Sequence, residues 1–114
     1  MDIVRVSGPD CYRCKYGKCR DCCNCECFVG AEKTFTQYGN ETCAILVEPL
    51  LQGSAGMKIY PPLYLKKLRE LCNQYNIHLI ADEIATGYGR TGKMFAFDYS
   101  GVSPDIMCLS KGLT

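Results

Sequence analysis

Residues 77–83, IHLIADE, with the glycine-rich TGYGRTGKMFA of 86–96 and the PDIMCLSK of 104–111, decide how this chain folds. Ile77 to Ala81 is a short apolar run that stops on an acidic pair, Asp82-Glu83. Ile106 to Leu109 is another, stopping on Ser110-Lys111. Apolar runs this short, bounded by glycine or proline, suit buried strands. Gly87, Gly89 and Gly92 make the stretch between them a loop. Upstream, Tyr64, Leu65, Leu68, Leu71, Cys72 and Tyr75 recur at three- and four-residue steps, with Lys66, Lys67, Arg69, Glu70 and Asn73 between them. That spacing predicts an amphipathic helix with one face for a core. Pro61-Pro62 suits its first turn, which needs no backbone donors, and Asn76 is a plausible stop. Further upstream, CAILVE at 43–48 is a third strand-like run, followed by a loop from Pro49 through Gly53 and Gly56. Strand, helix, strand, glycine loop, strand reads as part of an α/β domain with a mostly parallel sheet and flanking helices.

In such sheets ligands gather at the carboxyl ends of the strands. Glu48, Asp82 and Lys111 occupy those ends and are the candidate site residues. Every strand ends in something polar, so placement alone does not separate a site from solvated strand ends. His78 lies in an apolar run with no partner histidine and reads as a strand residue without a chemical role.

The net charge of +1 leaves no electrostatic footprint for nucleic acid or an anionic membrane. No apolar run approaches the roughly 18 residues of a membrane span. The start, MDIVRVSGPD, lacks the basic and apolar stretches of a signal peptide, so the expected location is cytoplasmic, with reduced thiols. Of ten cysteines, seven lie between Cys11 and Cys27, which divides the chain into a Cys-rich connecting segment, 1–41, and an α/β part, 42–114. Cys11-x2-Cys14-x4-Cys19-x2-Cys22 supplies four thiols, and Cys19-x2-Cys22-x2-Cys25 opens like a ferredoxin ligand run. Val29 and Gly30 stand where that run needs cysteine and proline, and the gap between the CxxC pairs is short for a zinc ribbon. No metal is assigned. A small Cys-rich metal-binding module remains an alternative reading, beside a loop of free thiols.

The stretch from 43 to 114, with its acidic pair after an apolar strand, then TGYGRTGKMFA, then PDIMCLSKGLT, resembles the class III aminotransferases, which use pyridoxal 5'-phosphate (PLP). Ornithine-type members usually carry Gln at the position of Ala85, so EIATG at 83–87 is more similar to the biotin-synthesis branch. The resemblance implies part of the large PLP-binding domain of a fold-type I aminotransferase. It implies that Lys111 is the catalytic lysine that forms the Schiff base with the cofactor and moves a proton. Asp82 matches the carboxylate that keeps the pyridine nitrogen protonated. Ile84 matches the aliphatic residue against the cofactor ring, on the same face as Asp82 if the strand continues. Glu48 matches the glutamate of a Glu-Pro motif and is expected to line the site. The implied activity is transfer of an amino group, from S-adenosylmethionine to 8-amino-7-oxononanoate, in a homodimer. Another class III ω-aminotransferase is the near alternative. Members of the family are several times longer than this chain. It is therefore expected to be a fragment, inactive alone, with phosphate- and carboxylate-binding residues elsewhere.

Overall fold

The computed structural model describes residues 1–113. After an irregular Cys-rich stretch the chain forms α1 (Val29–Tyr38), β1 (Ala44–Val47), β2 (Leu51–Gln52), β3 (Lys58–Ile59), α2 (Pro62–Tyr75), β4 (His78–Asp82) and β5 (Ile106–Cys108). The central sheet has three strands in the order β1-β4-β5. Both pairings are parallel, with Ala44 opposite His78, Val47 opposite Ala81, Ile80 opposite Ile106 and Asp82 opposite Cys108. Parallel neighbours need a crossover. Helix α2 lies in the one from β1 to β4. The glycine loop and a 3-10 turn at Ala96–Ser100 make the other.

Helix α2 forms where the periodicity puts it. Pro62 takes its first turn, and Asn76, in the left-handed conformation at φ 56°, closes it with its N–H directed at the carbonyls of Cys72 and Asn73. Tyr64, Leu65, Leu68 and Cys72 are its buried face, sharing a core with Leu79 and Ala81 of β4 and with Ala96 and Phe97. Each fully buried leucine there contributes about 1.5–3 kcal/mol relative to exposure. The opposite face of the sheet is uncovered among the described residues: Leu46 and Ile106, in register across Ile80, are 62% and 50% exposed.

Three elements, α1, β2 and β3, were not anticipated. Helix α1 lies inside the Cys-rich segment, where Phe28, just before it, and Phe35 meet Tyr64 and Tyr75 of α2 edge-on, at centroid distances of 5.1 and 5.7 Å. The Cys-rich segment thus shares the core of the α/β part. The expected loop after Glu48 contains a short antiparallel ladder, β2 with β3.

Asp105 anchors the start of β5. Its carboxylate accepts the Leu79 N–H at 2.7 Å and pairs with the Arg69 guanidinium at 2.8 Å, while its own N–H donates to the Leu79 carbonyl at 2.8 Å. One side chain therefore joins α2, β4 and β5. Among the described residues no helix is long and apolar enough to cross a membrane.

Candidate active site

Asp82 is the last residue of β4 and is half-buried. Its Oδ1 accepts the Ile84 N–H at 3.1 Å. The strand does not continue to Ile84, so the two residues do not share a strand face. β4 ends at Asp82, and the chain turns. Ile84 is set beside Asp82 by this side-chain-to-backbone bond, which offers the backbone an alternative to the sheet ladder. Lys111 stands three residues beyond Cys108, the partner of Asp82 in the neighbouring strand, and opens a 3-10 turn, Lys111–Leu113. Lys111 is exposed. The carboxylate thus lies at the carboxyl end of β4, and the amine three residues past the end of the adjacent parallel β5.

Glu48 follows β1. Its Oε2 accepts the Gly53 N–H at 2.9 Å, its Oε1 accepts the Ser54 hydroxyl at 3.4 Å, and its carbonyl accepts the Tyr60 hydroxyl. This carboxylate closes its own turn. His78 is an exposed strand residue whose N–H donates to the Cys43 carbonyl.

The neighbour of Asp82 is the residue that sequence reasoning missed. Glu83 is completely buried. Its Oε1 accepts the Thr86 hydroxyl at 2.7 Å and the Ala96 N–H at 2.8 Å, and its Oε2 accepts the Phe97 N–H at 3.2 Å. A buried carboxylate costs several kcal/mol of desolvation unless such donors meet it. Here they are the free backbone N–H groups that open the 3-10 turn. Glu83 falls in the same alternation as the buried Leu79 and Ala81, but it lies past the end of β4, where strand alternation no longer assigns a face.

In the Cys-rich segment Cys19 and Cys22 are joined as a disulfide, with Cα atoms 5.3 Å apart. A turn in which the Cys22 N–H donates to the Cys19 carbonyl brings the two together. Burial raises the Cys11 thiol to about 11, with neighbouring Cys23, Cys27 and Cys14 adding to the shift. Burial likewise raises Cys25 to about 12, reinforced by Cys23 and Cys27. Among the described residues no three Cys, His, Asp or Glu side chains converge where an ion could be held.

The pyridoxal group asks for an acid facing a basic ring nitrogen, an amine for its aldehyde and an apolar surface for its ring. Asp82, Ile84 and Lys111 are residue types of that chemistry, and they follow or end the adjacent parallel strands β4 and β5. The profile of the family described as Aminotransferase class-III matches residues 3–114, and the chain belongs to that family. Its relatives include the adenosylmethionine-8-amino-7-oxononanoate aminotransferase of Nitratidesulfovibrio vulgaris, 44% identical over 114 residues, covering 100% of this chain and 21% of the relative. The enzyme of the same name from Geobacter sulfurreducens is 44% identical over 112 residues, covering 97% of this chain and 25% of the relative. Among solved structures, the omega transaminase from Pseudomonas jessenii in complex with PMP superposes with a TM-score of 0.80 at 38% identity, over 95% of this chain and 24% of that one. The chain thus spans between a fifth and a quarter of the length of these proteins.

Proposed function

We propose that this sequence supplies the lysine and the pyridine-facing carboxylate of a PLP-dependent aminotransferase. Its amino donor would be S-adenosylmethionine and its acceptor 8-amino-7-oxononanoate. The observation that carries the reading is the placement of Asp82 and Lys111 at the ends of adjacent, in-register parallel strands. The names of the relatives support the choice of substrates. The likeness to an omega transaminase keeps a simpler ω-amino donor as the second reading. We assign 42–114 to the cofactor-binding domain and 1–41 to a segment connecting into it. The working protein is placed in the cytoplasm as a homodimer.

When bound, pyridoxal phosphate supplies an electron sink for charge that develops on the substrate carbon. The Asp82 carboxylate would keep the pyridine nitrogen protonated, since a nearby negative charge favours the cationic form. Its bond to the Ile84 N–H holds the carboxylate against the turn, and the Ile84 side chain would shield the ring from water. The Lys111 amine would bond the cofactor, then accept and return a proton at Nζ once an amino substrate has displaced it. Glu48 would line the rim, its carboxylate held by Gly53 and Ser54.

The test is amino transfer by the longer protein carrying this sequence, with S-adenosylmethionine and ω-amines as donors and 8-amino-7-oxononanoate as acceptor. The reading expects turnover with S-adenosylmethionine that Lys111→Ala lowers by several orders of magnitude. Turnover with ω-amines alone would select the second reading. Near-normal turnover in Lys111→Ala would remove the assignment of the lysine.

A further inference from the structure

We propose that Glu83 and Tyr88 are positioning residues for Lys111. Glu83 holds the loop of residues 84–97, and Tyr88 on that loop forms the wall against which the Lys111 turn is set. The inference rests on the cofactor reading only for the identity of the amine being placed.

Glu83 holds both ends of the loop. At the near end its carbonyl accepts the Gly87 N–H at 2.9 Å, and at the far end its carboxylate accepts the N–H groups of Ala96 and Phe97. Its own N–H donates to the Cys108 carbonyl at 3.0 Å, so the same residue is fastened to β5, the strand that leads to Lys111. Gly87 is required by this arrangement, because a Cβ there would stand 2.9 Å from the Glu83 carbonyl oxygen. The Glu83 carboxylate touches no solvent, so its charge serves the loop and not a substrate directly.

Between the fixed ends, Tyr88 takes the left-handed conformation at φ 60°. A bulky residue rarely does so, and such conformations persist only when the surroundings impose them. Phe95 braces the Tyr88 ring edge-on at 5.9 Å. The ring lies on Gly112, the residue after Lys111: a Cβ at Gly112 would stand 2.5 Å from Tyr88 Cδ2 and 2.7 Å from Tyr88 Cβ. The turn that carries Lys111 is closed by the Leu113 N–H donating to the Ser110 carbonyl at 2.7 Å. Tyr88 is its packing partner at Gly112. Glu83 thus sets the loop, the loop sets the ring, and the ring sets the backbone next to Lys111.

The experiment uses the isotope-labelled chain and the variants Tyr88→Ala, Tyr88→Phe and Glu83→Gln. In the unchanged chain the Tyr88 ring shifts the Gly112 α-proton resonances. Tyr88→Phe keeps that shift. Tyr88→Ala abolishes it and speeds exchange of the Leu113 amide about tenfold, leaving Ala96 and Phe97 as they were. Glu83→Gln speeds exchange at Ala96 and Phe97 and reduces the Gly112 shift. The same substitutions in the longer protein carrying this sequence are then exposed to pyridoxal phosphate and borohydride, and labelling of Lys111 is compared with that of Lys93, an exposed lysine on the same loop. Tyr88→Ala lowers the ratio about tenfold, and Tyr88→Phe restores it. Unchanged Leu113 exchange in Tyr88→Ala overturns the proposal, as does a looser turn with an unchanged labelling ratio. If Glu83→Gln does not fold, the two Tyr88 variants still decide the claim for the ring. If the unchanged longer protein shows no preference for Lys111, the cofactor reading fails, and the resonances and exchange of the chain still judge the positioning.

Discussion

Replacing Asp105 with Asn leaves the shape of the β5 anchor and removes its charge. The carboxylate makes one charge-assisted bond to the Leu79 N–H at 2.7 Å and one ion pair to Arg69 at 2.8 Å. A charge-assisted bond is about twice as strong as a neutral one of about 1 kcal/mol, so the Leu79 bond loses roughly 1 kcal/mol. The side chain is 38% exposed, so solvent screening limits the ion pair to a few tenths of a kcal/mol, up to about 1. The expected loss at neutral pH is therefore about 1–2 kcal/mol. The Leu79 N–H and, after it, Arg69 hold the folded-state Asp105 carboxyl below its ordinary value. A lowered folded value means that the stabilisation is complete above the unfolded value of about 3.9 and fades as pH falls through the folded one. Urea titrations followed by circular dichroism at pH 7 and near pH 3 measure both, and the Arg69→Gln and double variants isolate the pair. The gap between wild type and Asp105→Asn should narrow at the lower pH. A gap that is absent at pH 7, or equal at both, would refute the account of this anchor.

Leu68 is 1% exposed beneath the sheet, so Leu68→Ala should cost about 2–5 kcal/mol in the same urea assay; a loss below 1 kcal/mol would show that α2 is not packed as described. In the longer protein, Asp82→Asn should retain some pyridoxal phosphate, by absorbance after desalting, and lose most amino transfer; equal turnover would remove Asp82 as the pyridine partner. The 114-residue chain alone should bind pyridoxal phosphate weakly and transfer no amino group, because the carboxylate and lysine are only part of such a site; tight stoichiometric binding with turnover would show a self-sufficient unit.

The parts of the fold that follow local periods were legible in the sequence. Helix α2 spans Pro62–Tyr75, where the apolar spacing and the flanking Pro62 and Asn76 put it, and the three parallel strands fall within a residue of their apolar runs. Helix α1 carries the same kind of signal, Phe28, Ala31 and Phe35 at three- and four-residue steps, but the cysteines around it drew the reading toward metal chemistry. At the candidate site, Asp82 and Lys111 are proposed from the coincidence of motif and strand ends. Asp82 and Glu83 are chemically alike, and which acid turns inward depends on the α2 face under β4 and on unpaired N–H groups thirteen and fourteen residues downstream. The placement of Ile84 likewise depends on a turn bond that strand alternation does not foresee. Which cysteines become neighbours is set by packing across the segment. The Cys11 thiol is buried with Cys23, Cys27 and Cys14 near enough to raise it further, while Cys19 and Cys22 pair with each other.

The central claim is that Lys111 is the cofactor lysine, and the most direct measurement is borohydride reduction of the longer protein loaded with pyridoxal phosphate, followed by mass mapping of its peptides. The account predicts one pyridoxyl group per chain, carried by the peptide containing Lys111, and its loss in Lys111→Ala. A label on another lysine, or one spread evenly over the exposed lysines with Lys111 no more modified than Lys93, would contradict it.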